Sequence, residues 1–241
     1  MLHIQGFSKV FDKKTAVDDV SFEIKEGEIF SLIGPNSSGK TTIVHSVVGL
    51  LYPDKGSITV LKKDVTQFPA ETKAVIGYIP DEPSVWGGMT GEEFLHFTGA
   101  LYGMTPAARA ERIEELLPIF SLGAIKDEYF ENYSRGNKQK FSIIAALLHE
   151  PKLLLVDEPI VGLDPESANI AKREFVKFAS RGGAVLLVTH TLPVAEEIAT
   201  RIGIMREGKL LSVGTFKELV TSAGLKDGVS LDTVYLALTK R

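Results

Sequence analysis

Glu28-Ile29-Phe30-Ser31-Leu32-Ile33-Gly34-Pro35-Asn36-Ser37-Ser38-Gly39-Lys40-Thr41-Thr42 carries two signals in one run. Its first six residues, following a turn at Gly27, read as a buried strand. Gly34 to Thr41 then fits the pattern G-x-x-x-x-G-K-[ST], and Lys40 to Leu51 has the character of a helix. A strand, a glycine-bounded loop and a helix in this order wrap backbone N–H groups around phosphate oxygens, and the helix N-terminus adds partial positive charge. At Gly39 the backbone is expected to approach a phosphate closely. Lys40 is expected to reach the β- and γ-phosphates of a nucleotide, and the Thr41 hydroxyl to coordinate Mg²⁺.

Working outward, the flanking segments predict an α/β fold. Val17 to Ile24 alternates apolar and polar residues with a slip at Asp18-Asp19, and Ser57 to Leu61 reads as another strand after the turn Pro53-Asp54-Lys55-Gly56. From Thr90 to Glu150 the pattern becomes helical. Thr90-Gly91-Glu92-Glu93 forms a capping box, and Thr105-Pro106 starts a second helix whose Ile113, Leu116, Leu117 and Phe120 recur at helical spacing. Lys138 to His149 predicts a third. Leu153 to Val156 and Val185 to Val188 are then short, wholly apolar and flanked by helices, which is how central parallel strands read. Arg206-Glu207-Gly208-Lys209 predicts a hairpin turn, and Leu231 to Leu238 a short terminal helix.

Leu153-Leu154-Leu155-Val156-Asp157-Glu158 ends an apolar strand on two acids, at the sheet edge where ligands of open α/β sheets bind. Asp157 suits Mg²⁺, and Glu158 suits a general base that polarises an attacking water.

The run Tyr133-Ser134-Arg135-Gly136-Asn137-Lys138-Gln139-Lys140, followed by Leu153 to Asp164, resembles the ATP-binding-cassette ATPases, and the resemblance covers nearly the whole chain. That family carries a Leu-Ser-Gly-Gly-Gln signature just upstream of its second carboxylate motif. Ser134 and Gly136 match it, whereas Tyr133, Arg135 and Asn137 depart from the commonest form. The resemblance implies that Ser134, Gly136 and Asn137 cap the γ-phosphate of ATP held by another copy. It also implies that Asp164, in Val161-Gly162-Leu163-Asp164, belongs to a loop crossing the dimer interface. Thr189-His190 resembles the switch histidine, with His190 toward the γ-phosphate and the attacking water. Phe11 stands where the family places an aromatic that stacks on adenine. After Ile79-Pro80 the family usually has a glutamine that touches Mg²⁺. This chain has Asp81, a shorter charged arm that could approach the metal through water, as in a variant resembling cassettes of exporter type. Ser37 replaces a glycine common in the phosphate loop.

The fold so implied is a P-loop NTPase core with a mostly parallel central sheet, an N-terminal antiparallel β subdomain and an inserted α-helical subdomain. It would form a single domain over 1–241, with the core and β subdomain at 1–85 and 151–220, the helical subdomain at 86–150 and a helical tail at 221–241. The implied activity is hydrolysis of Mg-ATP by two copies, each site comprising Gly34, Pro35, Asn36, Ser37, Ser38, Gly39, Lys40, Thr41, Thr42, Asp157, Glu158 and His190 of one copy and the signature of the other.

Bulk properties restrict where such work is delivered. The formal charge of −4 provides no general attraction for nucleic acid or anionic lipid, and the absence of cysteine excludes disulfides and thiolate metal sites. No apolar run approaches the roughly 20 residues of a membrane span, and the start lacks a signal-peptide pattern. The expected partner is therefore a separate integral membrane permease, holding the ATPase at the cytoplasmic face of the membrane without lipid insertion. Its expected docking surface runs from Asp81 to Leu101 and includes Trp86 and Met89. The alternative is a soluble cassette ATPase that drives a non-transport machine. One cassette without sustained heptads argues against the repair and ribosomal forms.

Overall fold

The computed structural model describes residues 1–83, 88–160 and 162–240. Strands dominate the first part of the chain: β1 (Leu2–Phe11), β2 (Lys14–Ile24), β3 (Ile29–Ile33), then α1 (Lys40–Val48), β4 (Lys55–Val60), β5 (Lys63–Asp64), α2 (Pro69–Lys73) and β6 (Ile76–Ile79). Three α-helices follow: α3 (Gly91–Leu101), α4 (Pro106–Leu116) and α5 (Arg135–Leu148). Alternation then resumes with β7 (Leu153–Asp157), α6 (Pro165–Ser180), β8 (Ala184–Thr189), α7 (Leu192–Ile198), β9 (Arg201–Arg206), β10 (Lys209–Gly214), α8 (Phe216–Ser222) and α9 (Leu231–Thr239).

Two sheets result. One is antiparallel, in the order β2-β1-β4-β5, and the other runs β10-β9-β3-β8-β7-β6 with only β10 antiparallel to its neighbour. The expected mostly parallel central sheet and N-terminal antiparallel sheet are both present. The slip at Asp18-Asp19 has a structural cause: Asp19 takes a positive φ of 52°, and the β1–β2 register shifts between Phe7 and Lys9, as at a bulge.

The central strands are buried on both faces because each face has its own core. In β7, Leu153 and Leu155 point to one core while Leu154 and Val156 point to the other. In β8, Ala184, Leu186 and Val188 oppose Val185 and Leu187 in the same way. The first core lies against the antiparallel sheet and α1, where Phe22 and Phe30 stack at 4.8 Å between ring centroids. The second lies against the helices between β6 and β7 and against α6. Each fully buried leucine of β7 contributes about 1.5–3 kcal/mol relative to exposure. A third core covers the β9 side: Leu231 and Val234 of α9 pack with Leu219 of α8, Ala195 of α7 and Ile204 of β9. The terminal apolar helix thus has a packing role, secured where Glu196 accepts the Leu231 N–H at 2.8 Å and Arg206 donates to the Thr239 carbonyl.

Boundaries differ from expectation where capping decides them. Helix α1 stops at Val48, not Leu51, because Gly49 takes a left-handed φ of 77° and its N–H caps the last turn. Helix α5 starts at Arg135, three residues before the expected Lys138, because the Ser134 hydroxyl accepts the Asn137 N–H at 3.2 Å. The hairpin at Arg206–Lys209 forms as expected, with Glu207 and Gly208 both at positive φ, the geometry that matches strand twist. Trp86, proposed above as a docking anchor, and the expected boundary at 85/86 lie outside the described residues.

Candidate active site at the sheet edge

The loop from Gly34 to Gly39 joins the end of β3 to the start of α1. Gly39 sits at φ 103°, and a Cβ there would stand 2.6 Å from the Ala16 carbonyl, so only glycine fits. Ser37, where glycine is common in the family it resembles, also takes a left-handed φ, 66°. Lys40 is buried and folds back onto the loop, with Nζ donating to the Gly34 carbonyl at 2.8 Å and the Pro35 carbonyl at 3.0 Å. Burial pulls its ammonium pKa down, while Glu158 and Asp157 oppose that shift. The Ser38 hydroxyl is buried without a partner, a polar atom aimed into the loop.

The two acids at the end of β7 take different environments. Asp157 is buried, and burial pushes its carboxyl up to about 6. Glu158 and Asp81 push the same way, against a Thr41 hydrogen bond and the Lys40 charge. Glu158, at φ 49°, is held firmly: Thr189 Oγ1 donates to Oε2 at 2.9 Å, the His190 N–H donates to Oε1 at 2.7 Å, and His190 Nδ1 lies 2.6 Å from Oε1.

A cleft of about 730 Å³, a size that suits a nucleotide, opens beside the phosphate loop and the two acids; Gly34, Pro35 and His190 are not among the residues of its wall. Its walls include Phe11, Asn36 to Thr42, Asp81, Asp157 and Glu158. Phe11 is half exposed at the end of β1, with Lys9 Nζ 5.6 Å from its ring centroid, so it is not a core residue. Lys14, Thr15, Ala16, Glu207 and Gly208 also line the cleft. Sequence reading passed over the first three, which carry no motif, and took the last two only as a turn.

Ser134, Gly136 and Asn137 are not part of this cleft's wall; they form the first turn of α5. A Cβ on Gly136 would meet the Gly162 carbonyl at 2.8 Å, so glycine is required there for packing within the subunit. Tyr133, a departure from the usual leucine, is buried, stacks on Phe141 at 5.0 Å and donates to the Ile125 carbonyl at 2.5 Å. Asp164 is the N-cap of α6: it accepts the Ser167 N–H at 2.9 Å and the Ser167 hydroxyl at 2.7 Å, and these bonds hold its carboxyl down at about 2. Within the subunit, then, this acid is a helix cap.

The donors near the cleft are hard oxygens: the Thr41 hydroxyl and the Asp157 and Asp81 carboxylates. Among the described residues no cluster of three or more metal-binding side chains occurs. That set fits Mg²⁺, which takes few protein oxygens when phosphates and water supply the rest, and the Asp157 carboxyl, raised by burial first and by Glu158 and Asp81 after it, would be relieved by a cation.

The chain matches the ABC transporter family over residues 17–161. It is 34% identical over 241 residues to the ABC-type transporter ATP-binding protein EcsA of Bacillus subtilis, covering 100% of this chain and 97% of that protein. It is 35% identical over 224 residues to the linearmycin resistance ATP-binding protein LnrL of the same organism, covering 93% of this chain and 72% of the relative. A solved ATP-binding subunit of an ABC transporter superposes with a TM-score of 0.94 at 31% identity, over 99% of each chain. A phosphate loop, an acid pair at the end of β7 and this likeness along the full chain lead to one assignment: the chain belongs to the ABC transporter family, as an ATP-binding and ATP-hydrolysing subunit.

Proposed function

We propose that two copies of this chain enclose two Mg-ATP and that hydrolysis drives a separate integral membrane partner. The observation that carries this reading is the position of Ser134, Gly136 and Asn137 outside the cleft of their own subunit. The first turn of α5 offers N–H groups and a positive helix end to an anion, and a second copy would bring that anion to it.

Within each site, the amides of Gly34 to Thr42 and the Lys40 ammonium bind the phosphates. Phe11 stacks on the base. Thr41 and Asp157, with Asp81 through water, would hold Mg²⁺, which would supply charge neutralisation at the phosphates. Glu158 accepts a proton from the attacking water, and His190 orients Glu158. Asp164, as cap of α6, keeps the adjoining loop in place at the interface between copies.

The proposed docking surface lies next to the cleft. A second cavity of about 590 Å³ is lined in part by Leu50, Tyr78, Asp81, Glu82, Phe94 and Tyr102. Leu50 and Leu101 are 60% and 71% exposed, which leaves apolar area for a partner to cover. Among the described residues no helix is long and apolar enough to cross a membrane, so a partner would make the membrane attachment.

Intersubunit complementation tests the composite site. Lys40→Ala removes the phosphate-facing charge. Ser134→Asp keeps a capping side chain but sets a negative charge against the γ-phosphate. Each variant alone should be inactive, whereas their mixture should recover part of the activity, because a mixed pair retains one intact site. No recovery would mean that cleft and signature act within one copy. Leu50→Glu with Leu101→Glu should release the ATPase from membranes while preserving ATP binding; a wild type that never associates with membranes would end the transporter-partner reading.

A further inference from the structure

Two positions that depart from the family pattern, Asp81 and Arg135, meet in space. Arg135 Nη2 lies 3.4 Å from Asp81 Oδ1, although 54 residues separate them. Four residues along α5, on the same helix face, Gln139 Nε2 donates to the carbonyl of Pro80 at 3.3 Å. One face of the signature helix therefore grips two consecutive residues after β6. The two grips differ in character. Gln139 is buried, and its amide is a fixed anchor. Arg135 and Asp81 are each about half exposed, at 52% and 50% of their side chains, and an exposed ion pair is weak and easily exchanged.

Asp81 is also one of the residues shared by the nucleotide cleft and the neighbouring cavity, along with Thr41 and Asp157. Its carboxylate thus has two possible cationic partners, the Arg135 guanidinium and a cation in the cleft. We propose that Arg135 is a positioning residue that holds the Asp81 carboxylate on the α5 side of the cleft in the nucleotide-free subunit, so that Mg-ATP must compete with Arg135 for it. Binding in the cleft then frees Arg135 and loosens the first turn of α5, the turn that carries Ser134, Gly136 and Asn137. This inference rests on the reading of Asp81 as a residue of the Mg²⁺ side.

Equilibrium titration of a fluorescent ATP analogue, with excess Mg²⁺ and with a chelator, tests the competition in wild type, Arg135→Gln, Asp81→Asn and the double variant. Arg135→Gln should tighten binding about threefold to fivefold with Mg²⁺ and leave chelator-treated affinity unchanged, the scale of an exposed ion pair. Arg135→Lys, which keeps the charge, should lie near wild type. In the Asp81→Asn background the substitution at 135 should have no effect. Tightening that is equal with and without Mg²⁺, or that persists alongside Asp81→Asn, overturns the latch. If Asp81→Asn leaves the Mg²⁺-dependent gain at the wild-type level, the reading of Asp81 itself fails. If Asp81→Asn weakens that gain and Arg135→Gln changes nothing, the latch alone fails. Thermal melting of each variant separates these outcomes from misfolding, and Arg135→Met, which also removes the charge, takes the place of Arg135→Gln if the latter does not fold.

Discussion

The Oε1 atom of Glu158 accepts the backbone N–H of His190 at 2.7 Å and lies 2.6 Å from that residue's ring Nδ1, 32 positions along the chain. Nδ1 is thus the ring nitrogen turned to the carboxylate, and Nε2 is the one turned away from it. Thr189 occupies the other carboxylate oxygen at 2.9 Å. The proposed base is thus fully oriented before a nucleotide arrives. Glu158→Gln should still bind ATP and should hydrolyse it about 10²- to 10⁴-fold more slowly, the usual contribution of a positioned base. Phosphate release measures the rate, and size exclusion should reveal an ATP-bound dimer. Turnover near wild type would move the base elsewhere, with His190 the next candidate.

Asp157 gives a pH-dependent prediction. Burial first, then Glu158 and Asp81, raise its folded pKa to about 6 from an ordinary value of 3.8. A carboxyl whose folded pKa is raised favours the folded state fully below the unfolded pKa, and that advantage is lost as pH rises through the folded value. At pH 7.5 the nucleotide-free subunit therefore bears the cost of a buried charge. Asp157→Asn should stabilise it there by about 1–3 kcal/mol. The gain should shrink as pH falls through 6 and vanish near 4. Denaturant unfolding across this range checks the prediction; a gain independent of pH would assign the effect to packing.

Ser37 stores backbone strain at φ 66° in the phosphate loop. An L-residue pays about 1–2 kcal/mol in that region, partly offset against glycine's greater unfolded freedom. Ser37→Gly should leave stability unchanged or raise it by up to about 1 kcal/mol, and Ser37→Val should lower it by about 1–2 kcal/mol. Chemical denaturation of the three proteins reads this directly. Equal stability in all three would show that the loop relaxes to another conformation.

Phe11 offers a half-exposed ring at the cleft wall. Phe11→Ala should weaken ATP binding by about 1 kcal/mol or somewhat more, the scale of base–aromatic stacking, and leave binding of inorganic triphosphate unchanged. Calorimetric titration with both ligands distinguishes the cases, since equal loss for both would place the effect in the fold and not in the base.

Local pattern determined much of this protein. The run from Glu28 to Thr42 specified a strand, a phosphate loop and a helix, because β3, glycine-bounded turn chemistry and a helix start are each set within a few residues. The apolar runs Leu153 to Val156 and Val185 to Val188 announced two covered faces, and both faces indeed have cores. The exact ends of α1 and α5 were less legible, since Gly49 and Ser134 act through single capping bonds that outweigh the apolar period. The pairing of β1 with β4 was not readable, because the two strands lie far apart in the chain, whereas β1 and β2 are joined directly by the tight turn at Asp12-Lys13, both at positive φ. Only the tertiary structure decided that Glu158 meets His190, that Asp81 meets Arg135, and that α9 closes a third core beside β9. Those contacts join residues that share no local period. They arise from how sheet order and helix packing bring distant segments to one edge, and a linear pattern holds no record of that juxtaposition.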